Sequence, residues 1–290
     1  MFQKATKDQS RLRLGIFGAS GSGKTFTALR IASGIGGKIA LIDTESHSAS
    51  KYSDRFDFDT VDASEDQTVE FLVKAIEAAQ NEGYTTVIID SLTHSWQKLL
   101  EKLDEVAEQM DGNSFRAWGK VTPVQKFLIE TILKAELHVI ATMRAKTEYA
   151  MEQNSKGKTK PVRVGLAPEQ GKGIEYEFDL LMYIDTNQIG TIIKDRSGKF
   201  PPNSTIKEPG EDMGQELKKW LGEGRPIISI ARIQNDTELV KSITDMVFNL
   251  DTEGVKKFYK DNPVDDSIKN RINRAGTTKR EKPHAKKEHI

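Results

Sequence analysis

The chain has 290 residues, 37% of them hydrophobic and 30% charged, which is the composition of a globular and fairly hydrophilic protein. Domains commonly contain about 100 to 200 residues, so this length suits one large domain with a small appended unit. The charges of the 43 basic and 43 acidic residues cancel. Any electrostatic attraction to nucleic acid must therefore come from local basic patches on the surface. The absence of cysteine excludes disulfides and thiolate-bound zinc. No apolar run approaches the roughly 18 residues of a membrane span. The start "MFQKATKDQS" lacks the apolar core of a signal peptide. We therefore expect a cytoplasmic protein with no membrane contact.

In chain order, predicted strands alternate with predicted helices, a pattern typical of an α/β fold with a mostly parallel sheet flanked by helices. The strands are predicted at 12–17, 39–43, 85–90 and 137–143, and the first helix at about 24–34. A capping box of Ser64 with Gln67 predicts the start of a second helix that ends near Gly83. An apolar stripe from Trp96 to Met110 marks a third helix, and Thr122-Pro123 predicts the start of a fourth.

The second half of the chain is more polar. Residues 145–174 are rich in Lys and Gly and predict a long loop, whereas 178–185 and 190–195 predict an antiparallel strand pair joined by a turn at 186–188. Polar helices are predicted at about 212–221, 235–249, 253–260 and 265–274. We therefore expect a core over 1–205, a small helical C-terminal region over 206–275, and a basic disordered tail over 276–290.

Residues Gly18–Thr25, GASGSGKT, fit the phosphate-binding loop G-x-x-x-x-G-K-[ST], with the required strand before it and helix after it. Its glycines allow successive amides to face phosphate oxygens, and the helix N-terminus adds unpaired N–H groups. We expect ATP with Mg²⁺, with Lys24 on the β- and γ-phosphates, Thr25 on the metal, and Asp90 as the second magnesium partner through a water. A helix cap is the alternative role of Asp90. The predicted nucleotide contacts here are Gly18, Ala19, Ser20, Gly21, Ser22, Gly23, Lys24, Thr25 and Phe26.

Three further motifs accompany the phosphate loop. The segment "LIDTESHSASKY" places Glu45 just after the strand that follows the phosphate-loop helix, and "VIIDSLTH" has Ser91 after Asp90. A later segment, "TIIKDRSGKF", carries Lys194 and Arg196 at the end of a strand. Together these motifs resemble the RecA-like P-loop ATPase superfamily over residues 12 to about 200. They are most similar to the phage RecA-like proteins that include the Sak-type single-strand annealing group.

The resemblance implies roles for individual residues. Glu45 would be the general base that orients the attacking water, and Tyr52 would stack on the adenine. Lys194 and Arg196 would reach the γ-phosphate of a neighbouring subunit in a ring or filament, because residues i and i+2 of a strand share a face. A solvated loop carboxylate, a tyrosine packed in the core, and a solvated charge pair are the respective alternatives. Phe2-Gln3-Lys4-Ala5 matches the F-x-x-A tether by which some relatives dock on a neighbouring copy.

Two segments correspond, by order along the chain, to the single-strand-binding loops of RecA-like recombinases: roughly 111–120 and 145–173. The second has a local surplus of three positive charges. Basic loops suit phosphate contacts, and aromatic side chains such as Phe115 and Tyr149 suit base stacking. The predicted DNA contacts are Arg116, Trp118, Lys146, Lys156, Lys158, Lys160 and Arg163. The alternatives are a solvated loop and aromatic residues that anchor it to the core.

At the strand where bacterial RecA presents an Asn-Gln pair, this chain has Thr142-Met143-Arg144. Which of these three residues contacts the γ-phosphate is therefore open, and Arg144 is a candidate link between the nucleotide and the loop at 145–173. The resemblance implies an ATP-hydrolysing phage protein that binds single-stranded DNA and promotes recombination or annealing as a homo-oligomer. A nucleotide-gated protein-binding module, such as a helicase loader that docks through its C-terminal helices, is the alternative. A small-molecule kinase is less favoured, because no lid with clustered arginines follows the phosphate loop. The scattered histidines predict no structural metal site.

Overall fold

A computed structural model describes residues 10–153 and 159–223. For residues 149–153 and 159–164 it describes the backbone alone, and for the others it describes the side chains as well. The strands are β1 (Arg13–Gly18), β2 (Ile39–Asp43), β3 (Asp59–Asp62), β4 (Thr86–Asp90), β5 (His138–Gln153), β6 (Thr159–Pro168), β7 (Leu180–Ile184), β8 (Ile189–Asp195) and β9 (Thr205–Lys207). The helices are α1 (Lys24–Ile35), α2 (Val69–Asn81), α3 (Leu92–Glu108), α4 (Ser114–Lys134), α5 (Ile174–Glu177) and α6 (Glu211–Gly222), with a 3₁₀ turn at Ala49–Tyr52.

The central sheet has the strand order β3-β2-β4-β5-β1-β7-β8-β9. The first six strands of that order are parallel, and β8 and β9 extend the sheet as antiparallel strands. Alternate residues of β1 serve two cores: Leu14 and Ile16 pack with α1 and α6, and Phe17 packs with α2, α3 and α4. Helices therefore cover both faces of the sheet, which explains the continuous apolar runs of its central strands. The predicted α/β fold with a mostly parallel sheet is confirmed.

The chain divides into two compact units, Met1–Arg225 and Pro226–Ile290. Helix α6, predicted near 212–221 and assigned to the C-terminal region, packs closely against α1 of the first unit. A β-carbon on Gly34 would lie 2.1 Å from the carbonyl oxygen of Glu211, and one on Gly214 would lie 2.2 Å from that of Ile31. The first unit therefore extends to Arg225 and includes α6, β9 and the segment between them. The later predicted helices and the basic tail lie outside the described residues.

Helix α2 begins later than its predicted capping box. Its N-cap is Thr68, whose hydroxyl accepts a hydrogen bond from the Phe71 amide at 3.3 Å. The prediction of Ser64 with Gln67 as the cap is wrong, because the Gln67 side chain instead donates to the Thr44 carbonyl at 3.0 Å. A tertiary hydrogen bond thus replaces the expected local one.

Helix α4 begins at Ser114, where Asn113 caps it by accepting from the Arg116 amide at 3.0 Å. The prediction that this helix starts at Thr122-Pro123 is wrong, since Pro123 lies inside it. Buried residues on both sides of the proline form one apolar stripe, namely Ala117, Val121, Leu128 and Ile132. Their packing outweighs the disruption that an interior proline causes. Most of the segment 111–120, expected to be a DNA-binding loop, is therefore helical.

The segment 145–174, predicted to be a loop, contains an antiparallel β-hairpin. Strand β5 continues past the parallel sheet and pairs with β6, from Ala145 opposite Pro168 to Gln153 opposite Thr159, with a bulge at Glu148 and Tyr149. The polar composition concealed these strands, because a hairpin held by cross-strand backbone bonds does not need an apolar face. The edge strand β3 was missed for the same reason, since all four of its residues are exposed. Over the described ranges, no helix is long and apolar enough to cross a membrane.

Candidate nucleotide-binding site

The phosphate loop joins β1 to α1 at the carboxyl edge of the parallel sheet, where ligands of such sheets bind. Because β4, β5 and β1 are adjacent, the ends of these strands bring Thr25, Asp90 and Thr142 together. The Thr25 hydroxyl donates to Oδ2 of Asp90 at 2.6 Å, and the Thr142 hydroxyl donates to Oδ1 of the same carboxylate. Two predicted magnesium-site residues thus lie in direct contact.

The loop backbone adopts conformations that require glycine. Gly21 and Gly23 have φ angles of 77° and 85°, which favour residues without a β-carbon. A β-carbon on Gly18 would lie 2.3 Å from the carbonyl oxygen of Ile184. Helix α1 begins without a side-chain cap. The buried Ser22 hydroxyl has no hydrogen-bond partner within the described ranges. The loop therefore presents unpaired donors at a helix N-terminus, the arrangement that binds phosphate.

Lys24 and Asp90 are buried ionisable residues at the base of this loop. Burial lowers the pKa of Lys24, which the carboxylates of Glu45 and Asp90 partly oppose. Burial also raises the pKa of Asp90, against the hydrogen bonds from Thr142 and Thr25, and nearby Glu45 and Asp43 raise it further. The Lys24 ammonium donates to the Ala19 carbonyl at 2.9 Å. An added cation beside these carboxylates would relieve their mutual repulsion.

Glu45 lies across an open cleft of about 740 Å³ from the phosphate loop. Its backbone amide donates to Oδ1 of Asp43 at 2.7 Å, and the Ala49 amide donates to Oδ2 of Asp43 at 3.1 Å, so Asp43 holds the segment after β2. The Glu45 side chain is 30% exposed, and its Oε1 lies 3.3 Å from Nη2 of Arg144. Glu45 therefore faces the same cleft as Lys24 and Thr25. The cleft is lined by Ser20, Gly21, Gly23, Lys24, Thr25, Phe26, Glu45, Ser48, Tyr52, Arg55, Arg144 and Gln188.

Aromatic side chains form one wall of the cleft. The rings of Phe26 and Tyr52 lie 5.6 Å apart at an interplanar angle of 51°, and Phe56 packs edge-on behind Phe26 at 5.4 Å. Arg55 and Gln188 also line the cleft but were not predicted. Gln188 arrives from the β7–β8 turn, which Asp185 fixes by accepting from the amide of Ile189 at 2.9 Å. Sequence gives no local signal for such a residue, because a distant turn supplies it.

Lys194 and Arg196 lie together but do not line this cleft. The Lys194 ammonium donates to the carbonyls of Glu175 and Tyr176 at 3.0 and 2.7 Å, and Arg196 donates to the Tyr176 carbonyl at 3.0 Å. Nη1 of Arg196 is also 3.5 Å from Oδ1 of Asp179, yet the arginine side chain stays 55% exposed. Burial and Arg196 lower the pKa of Lys194. Both cationic side chains therefore lie beside α5 and outside the cleft formed by the phosphate loop of their own chain.

The predicted DNA contacts that lie within the described residues are spread over α4, β5 and β6. Arg116 is exposed on α4. Trp118, 36% exposed, stacks on Trp96 of α3 with centroids 6.1 Å apart. Lys146, at the base of the hairpin, donates to the Gln170 carbonyl at 3.0 Å. Lys160 and Arg163 belong to β6, where only the backbone is described, and Lys156 and Lys158 lie outside the described residues. Phe115 is 88% exposed at the start of α4.

His, Cys, Asp and Glu side chains form no group of three or more suited to a metal ion within the portion of the chain described. A magnesium ion here would instead depend on one hydroxyl, one carboxylate and the phosphates of the nucleotide, the kind of partial protein shell that Mg²⁺ commonly has. The residues present fit that arrangement, because the Thr25 hydroxyl and the Asp90 carboxylate already share a hydrogen bond.

Comparison with known proteins places this site in a family. A search of curated proteins found no match to the chain. The sequence model of the AAA_24 family, described as an AAA domain, matches residues 10–207, from just before β1 to the end of β9. That range includes the phosphate loop, Asp90 and every residue that lines the cleft. The chain therefore belongs to the AAA_24 family of AAA domains, nucleotide-binding ATPases with a P-loop fold.

Proposed function

We propose that the chain is a RecA-like phage ATPase that hydrolyses ATP with Mg²⁺ between subunits of a homo-oligomer, binds single-stranded DNA, and promotes recombination or strand annealing. The convergence of Lys24, Thr25 and Glu45 at one cleft, with Asp90 bound to the Thr25 hydroxyl, carries the ATPase part of this proposal. These side chains come from separate segments of the chain. Lys24 supplies a cation for the phosphates, Thr25 and Asp90 supply partners for the metal ion, and Glu45 supplies a base.

ATP and Mg²⁺ suit the groups that surround the phosphate loop. The uncapped start of α1 and the Lys24 ammonium provide donors for phosphate oxygens. When bound, Mg²⁺ would be held by Thr25 and, through a water, by Asp90, and would neutralise negative charge on the phosphates. Burial of Asp90 and Lys24 keeps both in fixed positions, so little side-chain entropy is lost when the nucleotide binds.

Glu45 is the residue best placed to orient the attacking water. Its side chain lines the same cleft as the loop that would hold the phosphates. A carboxylate there accepts a hydrogen bond from water and then its proton. Nη2 of Arg144, 3.3 Å from Oε1, gives the Glu45 carboxylate a fixed partner on the side of that oxygen.

Lys194 and Arg196 would complete the site of a neighbouring copy. Their contacts with the Tyr176 carbonyl hold them side by side, and the exposure of Arg196 leaves it accessible to another subunit. Cations supplied in trans stabilise the charge of phosphoryl-transfer transition states and accelerate hydrolysis by orders of magnitude. The placement of Lys194 and Arg196 outside the cleft of their own chain supports an oligomer as the active form.

The β5–β6 hairpin is the proposed site for single-stranded DNA. It continues the strand that carries Thr142 and Arg144, so it emerges from the same edge of the sheet as the cleft. Its lysine and arginine residues suit phosphate contacts. The Glu169 amide, just after β6, donates to the Arg144 carbonyl at 2.7 Å. The base of the hairpin is thereby tied to a residue that contacts Glu45.

A mixing experiment tests the shared ATPase site. Glu45→Gln and Arg196→Ala should each lower Mg²⁺-dependent phosphate release about a hundredfold or more. An equal mixture of the two variants should regain up to about a quarter of the wild-type rate, because random assembly pairs an intact Glu45 with a neighbour's intact Arg196 at that frequency. Lys24→Ala should lose nucleotide binding and serves as the inactive control. A mixture as inactive as its components would contradict the shared site.

DNA binding is tested with the triple variant Lys158→Ala, Lys160→Ala and Arg163→Ala. We expect it to lose stimulation of the ATPase by single-stranded DNA at low salt, while its DNA-free rate stays that of the wild type. The matched control removes three exposed lysines on helices, Lys74, Lys102 and Lys219. If single-stranded DNA leaves the wild-type rate unchanged, the DNA part of the proposal fails and a nucleotide-gated protein-binding module is favoured.

A further inference from the structure

A buried polar cluster next to the cleft has no part in the function proposed so far. It consists of Thr44, directly before Glu45, together with Ser91 and His94 at the start of α3, and all three residues are buried. The Ser91 amide donates to the Thr44 hydroxyl at 2.7 Å. The same hydroxyl oxygen lies 2.7 Å from Nδ1 of His94. The cluster therefore connects the strand that carries Asp90 to the segment that carries Glu45.

The Thr44 hydroxyl contacts the imidazole of His94 at Nδ1. Its oxygen accepts from the Ser91 amide and lies 3.2 Å from the Ser91 carbonyl and 2.7 Å from Nδ1 of His94, where donor and acceptor depend on the tautomer of the ring. The arrangement inferred below has the hydroxyl donate to Nδ1. A neutral imidazole that accepts at Nδ1 carries its proton on Nε2.

His94 is held in its neutral form by its surroundings. Burial lowers the pKa of His94, and the guanidinium of Arg144 lowers it further, against the opposing effects of Glu45, of Glu169 and of a hydrogen bond with the Thr44 backbone. An imidazole with a pKa below the usual value is uncharged at neutral pH. With the proton on Nε2, the ring presents its N–H toward Glu45.

Nε2 of His94 lies 4.0 Å from Oε1 of Glu45, the oxygen that Nη2 of Arg144 approaches at 3.3 Å. A donor held at this distance is outside hydrogen-bond range, but hydrogen bonds of catalytic groups are often long in unliganded enzymes and shorten in the complex. Once both donors bind this oxygen in the complex, they would fix the direction of the other oxygen. That oxygen is the one a general base offers to water.

We propose that His94 is a positioning residue for Glu45: its Nε2–H, fixed by the Thr44 hydroxyl, orients the carboxylate for attack by water on the nucleotide. This inference rests on the proposed function, because it gives Glu45 the role of base. His94 touches neither the nucleotide nor the water. It acts on the rate of hydrolysis and leaves ATP affinity unchanged.

Paired variants of His94 separate this role from simple packing. His94→Gln retains an amide N–H near the position of Nε2, whereas His94→Asn retains a polar group only near the position of Nδ1. We expect His94→Asn to lower kcat about tenfold or more, the scale of a lost hydrogen bond to a charged group. His94→Gln should keep at least about a third of the wild-type kcat because it keeps the donor. KM for ATP and the affinity for a non-hydrolysable analogue should stay unchanged in both.

Thr44 gives an independent test that leaves His94 in place. Thr44→Ser keeps the hydroxyl and should behave like the wild type, whereas Thr44→Val should lower kcat to the level of His94→Asn. If His94→Asn does not fold, the comparison of Thr44→Ser with Thr44→Val still tests the role of His94. Equal kcat values in folded Thr44→Val and in the wild type would overturn the proposal.

Glu45→Gln distinguishes failure of this inference from failure of the proposed function. In the Glu45→Gln background, adding His94→Asn should cause no further loss of rate, because the group it positions is gone. If Glu45→Gln itself hydrolyses ATP normally, the proposed function fails. If Glu45→Gln is inactive while His94→Asn is as fast as the wild type, or while His94→Gln and His94→Asn lose equally, the role of His94 alone is refuted.

Discussion

Replacing Leu217 with alanine tests whether α6 is part of the ATPase core. Leu217 is fully buried in the cluster that contains Leu29 and Ile31 of α1. Helix α1 carries Lys24 and Thr25 at its other end. If α6 belonged to a separate C-terminal region, a change in it would leave the stability of the nucleotide site almost unaffected.

The size of the effect follows from the packing. Leucine-to-alanine changes at fully buried sites cost about 2 to 5 kcal/mol, and the cost is higher where the surroundings cannot collapse into the cavity. The α1 and α6 backbones already touch at Gly34 and Gly214, so little further approach is available. We therefore expect a loss of about 3 to 4 kcal/mol. For a unit of this size, that corresponds to a fall in Tm of roughly 6 to 16 °C.

Thermal unfolding of the full chain, followed by circular dichroism with and without Mg-ATP, measures this loss. Gln215→Ala is the matched control because Gln215 is exposed on the same helix and glutamine and alanine differ little in helix propensity. The Leu217→Ala protein should still gain stability when Mg-ATP is added. A Tm shift no larger than that of Gln215→Ala would refute the placement of α6 in the core.

Three further outcomes are expected. Glu45→Gln should bind ATP with wild-type affinity but release phosphate at about a hundredth of the wild-type rate or slower. Nucleotide titration and a phosphate-release assay measure these two quantities. Asp90→Asn should leave the nucleotide-free protein at least as stable as the wild type, because burial raises the pKa of this carboxyl and its ionisation at neutral pH opposes folding. In thermal unfolding, however, the same variant should lose the extra stabilisation that Mg²⁺ adds to ATP. Because the pKa of His94 is lowered in the folded protein, the unfolded chain takes up the proton first, and stability should fall as the pH drops below about 6.5. Urea unfolding at pH 7.5 and 5.5 should show a smaller loss for His94→Gln than for the wild type.

Local signals made the centre of the fold predictable from sequence. The phosphate loop is contiguous, and the buried strands beside it are short apolar runs, so neither depends on distant residues for recognition. The β5–β6 hairpin was missed because its polar residues resemble those of a loop. The start of α4 was misplaced because the packing of Ala117 and Val121 outweighs a proline that, by itself, indicates a helix start.

The cleft was predictable only in part. Glu45 and Tyr52 follow a strand next to the phosphate-loop helix and share a motif that sequence can reveal. Gln188 and Arg144 reach the same cleft from β7–β8 and from β5, and only the strand order brings them there. The contact of His94 with Thr44 depends on that same order, because β4 lies directly beside β2.

Strand β5 is 16 residues long and runs from His138 in the middle of the sheet to Gln153 in the hairpin, with one bulge at Glu148 and Tyr149. At about 3.3 Å per residue the strand is roughly 50 Å long. Thr142, whose hydroxyl donates to Asp90, lies in the third of the strand nearest its start. One strand thus joins the hairpin to the hydroxyl that contacts the Asp90 carboxylate beside Thr25.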